Sequence, residues 1–267
     1  MRYCRFLLDG KAEYGLIESV KGKDTITRIF LAAPEGSTPA EHSRTREISP
    51  IAFANASILA PVTPSKIICM GRNYRAHAAE MGNEVPSEPL IFFKPPSSLI
   101  NPGDAIRRPK ASQRTDFEGE LGVVIGQRCY RLSASEDVRP YILGYTAIND
   151  FTARDLQRKD GQWTRGKGFD TFCPVGPLVT NEIDPWKGVR VGTKVNGVVR
   201  QDGSTLDFIF SLDVVIRYVA SIMTLLPGDL IATGTPEGVG PVVAGDVVEV
   251  EVEGVGVLNN PVVDDAS

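Results

Sequence analysis

Two glutamates stand two residues apart in Asp116-Phe117-Glu118-Gly119-Glu120-Leu121. On a strand, positions i and i+2 share a face, so Glu118 and Glu120 point the same way, ~7 Å apart at the backbone. Like charges so placed repel unless a cation or protons intervene. Gly119 and Gly122 leave room beside them, and the apolar run Val123-Val124-Ile125 follows. Taken alone, such a pair is either a solvated strand face or a cation site. Glu249 and Glu251 share the spacing, and there the alternation of 247–252 reads as the solvated face.

Asp150 follows the apolar stretch 141–148 and precedes a helical segment. It serves equally as a helix N-cap or as a third carboxylate beside Glu118 and Glu120. Three carboxylates suit Mg²⁺ or Mn²⁺, with positions left for waters and a chelating substrate. The chain has two histidines, His42 and His77. A site built from several histidines is therefore excluded within this chain, and any metal must be a hard ion held by oxygen.

His77 and Glu80 are neighbours on a helix, so the carboxylate can orient the imidazole as a general base that activates water. An exposed histidine with an incidental ion pair has the same spacing. Arg72, Lys94, Arg154 and Lys167 lie at glycine- or proline-rich junctions, where loops carry binding groups. They are candidate substrate contacts, and a lysine can also stabilise a developing oxyanion. Segment 232–238, Ala-Thr-Gly-Thr-Pro-Glu-Gly, offers backbone amides and the hydroxyls of Thr233 and Thr235. It lacks the Gly-Lys-Ser/Thr of a phosphate loop, so nucleotide binding is not supported.

Short strands around many turns must position these groups, because 26 glycines and 19 prolines punctuate 267 residues. Residues 3–8 and 12–20 read as a hairpin turning at Asp9-Gly10. Segments 66–70 and 90–93 read as buried strands, 118–126 as a strand with glycines, and 74–81 and 152–159 as short helices. Leu212, Val215, Val219, Ile222 and Leu226 mark a longer helix, capped by Ser211 and stopped by Pro227-Gly228. Pro61-Val62-Thr63-Pro64 divides the chain into a small N-terminal β domain, 1–62, and a larger domain, 63–267.

The net charge of -4, with no basic run, argues against a nucleic-acid partner. No apolar stretch approaches the ~20 residues that span a bilayer, so no membrane association is expected. Four scattered cysteines without a CxxC fit a reducing compartment, and the N-terminal ten residues carry no sustained apolar run; a cytoplasmic location is expected.

In chain order, the motifs Gly71-Arg72-Asn73-Tyr74 with His77 and Glu80, Phe92-Phe93-Lys94-Pro95, Asp116 to Leu121, Asn149 to Asp155, Lys167 to Thr171 and Ala232 to Pro236 resemble the fumarylacetoacetate hydrolase family over roughly 65–262. The resemblance implies an α+β, β-rich fold, a mixed β-sandwich roll, usually as a homodimer. It implies Mg²⁺ or Mn²⁺ on Glu118, Glu120 and Asp150, with His77 and Glu80 on a lid. Lys167 would contact the substrate oxygens, and Arg154, Gln157 and Thr235 would help bind a small 2-oxo acid. Segments 76–88 and 158–166 would tune which substrate fits.

Such a site would hydrolyse an acylpyruvate-type C–C bond or decarboxylate an oxaloacetate-like acid. Proton transfer alone would make it a tautomerase or a double-bond isomerase; an isomerase or hydratase of a 2-hydroxyhepta-2,4-diene-1,7-dioate type of dienoic dicarboxylate is the alternative. A glycosidase built on paired carboxylates is unsupported, since two tryptophans make no sugar platform. A non-catalytic, metal-stabilised scaffold would need neither the His77–Glu80 pair nor Lys167.

Overall fold

The computed structural model describes residues 1–80, 82 and 84–266. Strands make up 44% of it and helices 16%, as the β-rich α+β expectation requires. In chain order the main elements are β1 (Arg2–Leu8), β2 (Lys11–Val20), β3 (Lys23–Phe30), β4 (Thr45–Ala52), β5 (Ile67–Gly71), α1 (Arg75–Glu80) and β6 (Leu90–Lys94). Then come β7 (Thr115–Phe117), β8 (Gly119–Ile125), β9 (Ile142–Asn149), α2 (Arg154–Asp160), α3 (Thr164–Lys167) and β10 (Cys173–Thr180). The chain closes with β11 (Arg190–Val195), β12 (Val198–Ser204), α4 (Leu212–Ile222), β13 (Leu230–Ala232), β14 (Val247–Val252) and β15 (Gly256–Asp264).

The large mixed sheet runs β4-β3-β2-β1-β10-β9-β8-β13-β5-β6, with two short strands at its sides. A second sheet runs β12-β11-β14-β15 and ends on Ile106–Arg108. Strands β8, β9 and β10 lay one face on β11, β14 and β15, which makes the sandwich. Both faces of β8 are therefore covered, and all seven of its residues are buried. A three-stranded sheet joins β7 to Thr152–Ala153 and Gly240–Val242.

The N-terminal unit is a four-stranded meander. Asp9-Gly10 and Lys21-Gly22 both have positive φ at the two turn positions, the conformation whose twist suits two-residue hairpins. Arg2 and Tyr3 pair with Thr180 and Val179 of β10, so the sheet continues from the meander into the rest of the chain. The core is also shared: Tyr3, Phe30 and Val62 cluster with Ile67, Val124 and Leu143. The expected boundary at 62/63 falls in the strand-free segment 60–66.

Two local expectations shift. Helix α4 buries Leu212, Val215 and Val219 as the pattern requires, but stops at Ile222. Met223 turns extended and Leu225 bridges to Cys129, so a tertiary pairing ends the helix five residues before Pro227. Ser211 stands at the N-cap without a side-chain capping bond. Segment 152–159 divides into a two-residue strand and α2, whose N-cap is Ala153. The expected end of α1 at Met81 lies outside the described residues. Among the described residues no helix is long and apolar enough to cross a membrane.

Candidate metal centre

Glu118 sits where the chain leaves one sheet and enters another. β7 ends at Phe117 and β8 begins at Gly119, and the two strands pair in different sheets. Asn149-Asp150, at the end of β9, fixes this crossing point. The Asn149 side-chain oxygen accepts the Glu118 amide at 3.0 Å, and the Asp150 amide donates to the Glu118 carbonyl at 2.8 Å. Asp150 is therefore no helix cap; its side chain meets Glu118 and Glu120. One oxygen from each of the three lies within 4.8 Å of the others. All three are almost fully buried, at 4%, 1% and 1% exposure. This settles between the two sequence alternatives for the first pair: it is not a solvated face.

Cations surround the triad unevenly. Lys167 Nζ donates to Glu118 Oε2 at 2.7 Å and to Asp150 Oδ2 at 2.6 Å. Arg154 bridges Glu118 to Asp116, with Nε 2.9 Å from Asp116 Oδ2. Lys94 Nζ donates to Asp150 Oδ1 at 2.7 Å and to the Phe151 carbonyl at 3.0 Å. Glu120 has no cation on it among the described residues; it accepts the Gly234 amide at 2.8 Å. Gly234 has φ of +100°, and a Cβ there would lie 2.8 Å from Asn73 Cβ, so this donor position suits glycine.

The charges follow. Burial disfavours the Glu118 carboxylate, but Lys167 and Arg154 outweigh it and hold the carboxyl well below the usual range. Burial lowers Lys167, and Asp150 and Glu118 more than reverse that. Burial pushes Glu120 well up, and the charges of Asp150 and Glu118 push it further. A divalent cation at the three oxygens would meet this repulsion. Three oxygen donors, one of them on a Glu120 that no cation contacts among the described residues, fit a hard ion such as Mg²⁺ or Mn²⁺.

A cavity of about 340 Å³ opens over the triad. Its wall brings together Arg72, His77, Glu118, Glu120, Asp150, Arg154, Gln157, Lys167 and Thr235. His77 is buried, and its Nδ1 lies 3.2 Å from Glu80 Oε2. Glu80 also accepts the Gly238 amide. The ring nitrogen left for proton transfer is Nε2. Arg72 holds a left-handed backbone, φ 57°, and its guanidinium lies 6.0 Å from the Trp163 ring centre.

Two expected substrate contacts change character. Lys94 is not on the cavity wall; it stands behind Asp150 as a buried counter-charge. Thr235 lines the cavity, but its hydroxyl donates to the Gly119 carbonyl at 2.9 Å, so it can only accept from a ligand. The sequence reading missed Phe92, Arg158 and Trp163 on the cavity wall. Phe92 lies in the motif Phe92-Phe93-Lys94-Pro95, and Arg158 opens the segment 158–166 expected to tune which substrate fits. Trp163 lies in the same segment.

The segment 66–263 matches the family model described as fumarylacetoacetate (FAA) hydrolase, C-terminal. The chain belongs to the fumarylacetoacetate hydrolase family. It is 46% identical over 224 residues to a mitochondrial oxaloacetate tautomerase of Xenopus laevis, covering 79% of this chain and 69% of the relative. The crystal structure of a 5-carboxymethyl-2-hydroxymuconate delta-isomerase from Mycobacterium smegmatis matches with a TM-score of 0.87 at 40% identity, over 99% of this chain and 100% of that one. A fumarylpyruvate hydrolase from Pseudomonas aeruginosa, solved with Mn²⁺ and pyruvate, matches with a TM-score of 0.71 at 32% identity, over 77% and 91%. The match to the isomerase structure takes in the N-terminal meander as well as the segment 66–263 of the family model.

Proposed function

We propose that this family member is a divalent-metal-dependent enzyme that moves a proton on a 2-oxo dicarboxylic acid, as a keto–enol tautomerase of the oxaloacetate type. One observation carries the reading: a buried His77, braced by Glu80, shares one cavity with the carboxylate triad and Lys167. Glu118, Glu120 and Asp150 would hold a divalent ion, which would supply Lewis-acid polarisation to a 2-oxo acid.

The chain's own groups do the rest. Lys167 places its ammonium beside Glu118 and Asp150, where negative charge on the substrate oxygens is stabilised. Arg154 and Gln157 hold each other, with Nη1 donating to Oε1 at 2.8 Å, which leaves the Gln157 amide NH₂ to donate into the cavity. His77 Nε2 takes or returns the carbon-bound proton, and Glu80 fixes its tautomer. Phe92 and Trp163 exclude water from one wall.

Arg72 and Arg158 select a second acid group. Both line the cavity, and neither meets a carboxylate at ion-pair distance among the described residues. The deeper cations are all paired. A substrate with one carboxylate near the triad and another at its far end satisfies both sets.

Hydrolysis of an acylpyruvate-type bond is the second reading, favoured by the braced His77, which is the kind of base that activates water. Decarboxylation of an oxaloacetate-like acid needs only the triad and Lys167. The test is a panel of oxaloacetate, an acylpyruvate and a dienoic dicarboxylate with Mg²⁺ or Mn²⁺, with and without chelator. Chelator-sensitive interconversion of enol and keto oxaloacetate is expected. Faster cleavage of the acylpyruvate would move the assignment to hydrolase, and no turnover of any would return it to a scaffold.

A further inference from the structure

Glu118 and Glu120 face the cavity, so Gly119 between them faces the opposite side of the strand, toward the second sheet. There it meets a row of three side chains in one register. Thr193 on β11 pairs with Gln201 on β12 and with Val250 on β14. A Cβ on residue 119 would lie 2.1 Å from Thr193 Oγ1, 3.1 Å from Val250 Cγ1 and 3.3 Å from Gln201 Oε1. The row is packed directly on the backbone that carries the two glutamates.

Only one member of the row bonds to that backbone. Gln201, 1% exposed, accepts the Gly119 amide on Oε1 at 3.0 Å. Its Nε2 donates to Thr235 Oγ1 at 2.7 Å and to the Pro236 carbonyl at 2.8 Å. Thr235 closes the ring by donating to the Gly119 carbonyl at 2.9 Å. The amide belongs to the peptide between residues 118 and 119, and the carbonyl to the peptide between 119 and 120. Of the two peptide groups between the paired glutamates, one is thereby bonded to Gln201 directly and the other through Thr235. Strand β13 pairs with β8 only from Gly122 onward, so Gly119 has no strand partner on this edge. Gln201 and Thr235 stand in for one.

We propose that Gln201 is a positioning residue of the metal centre: from the second sheet it sets the spacing of Glu118 and Glu120, and with it the affinity for a divalent ion. The inference rests on the metal reading given under Proposed function. Residues that hold ligands in place by hydrogen bonds commonly change metal affinity about 10–100-fold when lost.

The experiment is a titration of the full chain with Mn²⁺, followed by electron paramagnetic resonance of the free ion, alongside thermal denaturation. Gln201→Leu removes all three bonds and is expected to weaken Mn²⁺ binding about 10–100-fold. Gln201→Glu keeps an acceptor for the Gly119 amide but cannot donate to Thr235 or Pro236. Its added negative charge would by itself tighten a cation, so a loss of affinity there reports the position of the carboxylates. Thr193→Val, in the same row with no bond to Gly119, is expected to bind Mn²⁺ like the unaltered chain. If Gln201→Leu does not fold, Gln201→Glu decides alone. Unaltered Mn²⁺ affinity in the folded Gln201 variants overturns the inference. A parent chain that binds no Mn²⁺ overturns the metal reading instead.

Discussion

Glu80 is fastened to Gly238, 158 residues further along the chain, whose amide lies 3.1 and 3.2 Å from its two carboxylate oxygens. The carboxylate that orients His77 thus also ties the short helix α1 to the turn following Thr235. His77→Ala should lower kcat about 10²–10⁴-fold, the usual contribution of a general base, with little change in KM. Glu80→Gln, which keeps size but loses the charge, should fall between the two. Steady-state rates of oxaloacetate tautomerisation and acylpyruvate cleavage test this, and an unchanged kcat in His77→Ala would give the proton to another group.

Arg158 is the simplest handle on substrate class, because it is exposed and its removal leaves no buried partner unpaired. Arg158→Ala should raise KM for a 2-oxo dicarboxylate about tenfold, or about 1.4 kcal/mol. For a monocarboxylic 2-oxo acid it should do nothing. Equal effects on both would mean that Arg158 does not read the second acid group.

The Glu120 carboxyl, which no cation contacts among the described residues, makes a prediction about stability. With metal chelated, Glu120→Gln relieves a buried carboxyl crowded by Asp150 and Glu118, and should stabilise the fold by about 1–3 kcal/mol. The same variant should lose Mn²⁺ binding. Thermal denaturation in chelator and a Mn²⁺ titration read the two effects; a variant that melts lower and still binds would contradict both.

Glu35 provides a pH signature away from the metal centre. Burial raises its carboxyl above the ordinary value of about 4.3, and one of its oxygens is buried without a partner among the described residues. The unfolded chain loses this proton first, so the folded chain holds more protons between the two values. Stability therefore falls as pH rises through that interval. Glu35→Gln should melt higher than the parent at neutral pH, and the gain should vanish below about pH 4. Melting temperatures across that range decide it; a difference independent of pH would assign the effect to packing.

Strand alternation made the pairing of Glu118 and Glu120 legible before any coordinates, since the period of two needs only neighbouring residues. The acidic content of the site followed from counting histidines. What stayed hidden depends on partners far apart in sequence. Lys94 reads as a loop cation, yet 56 residues later Asp150 buries it. Gln201 lies 82 residues from Gly119 on a different sheet, and nothing in its own neighbourhood announces the contact. Likewise α4 ends where Leu225 finds Cys129 rather than where Pro227 would stop it. Local patterning sets which way a side chain points; sheet packing decides what it meets.

The bonds from Arg2 and Tyr3 to the end of β10 bear on how this protein can be shortened. A chain beginning at residue 63 would keep every residue of the cavity. It would also bare the backbone edge at Val179 and Thr180 and strip Tyr3, Phe30 and Val62 from a shared core. An open strand edge beside uncovered apolar surface invites another chain to add itself there. The meander thus covers that edge and that core, and the shortened chain is expected to precipitate or form ladders of copies before any loss of chemistry could be measured.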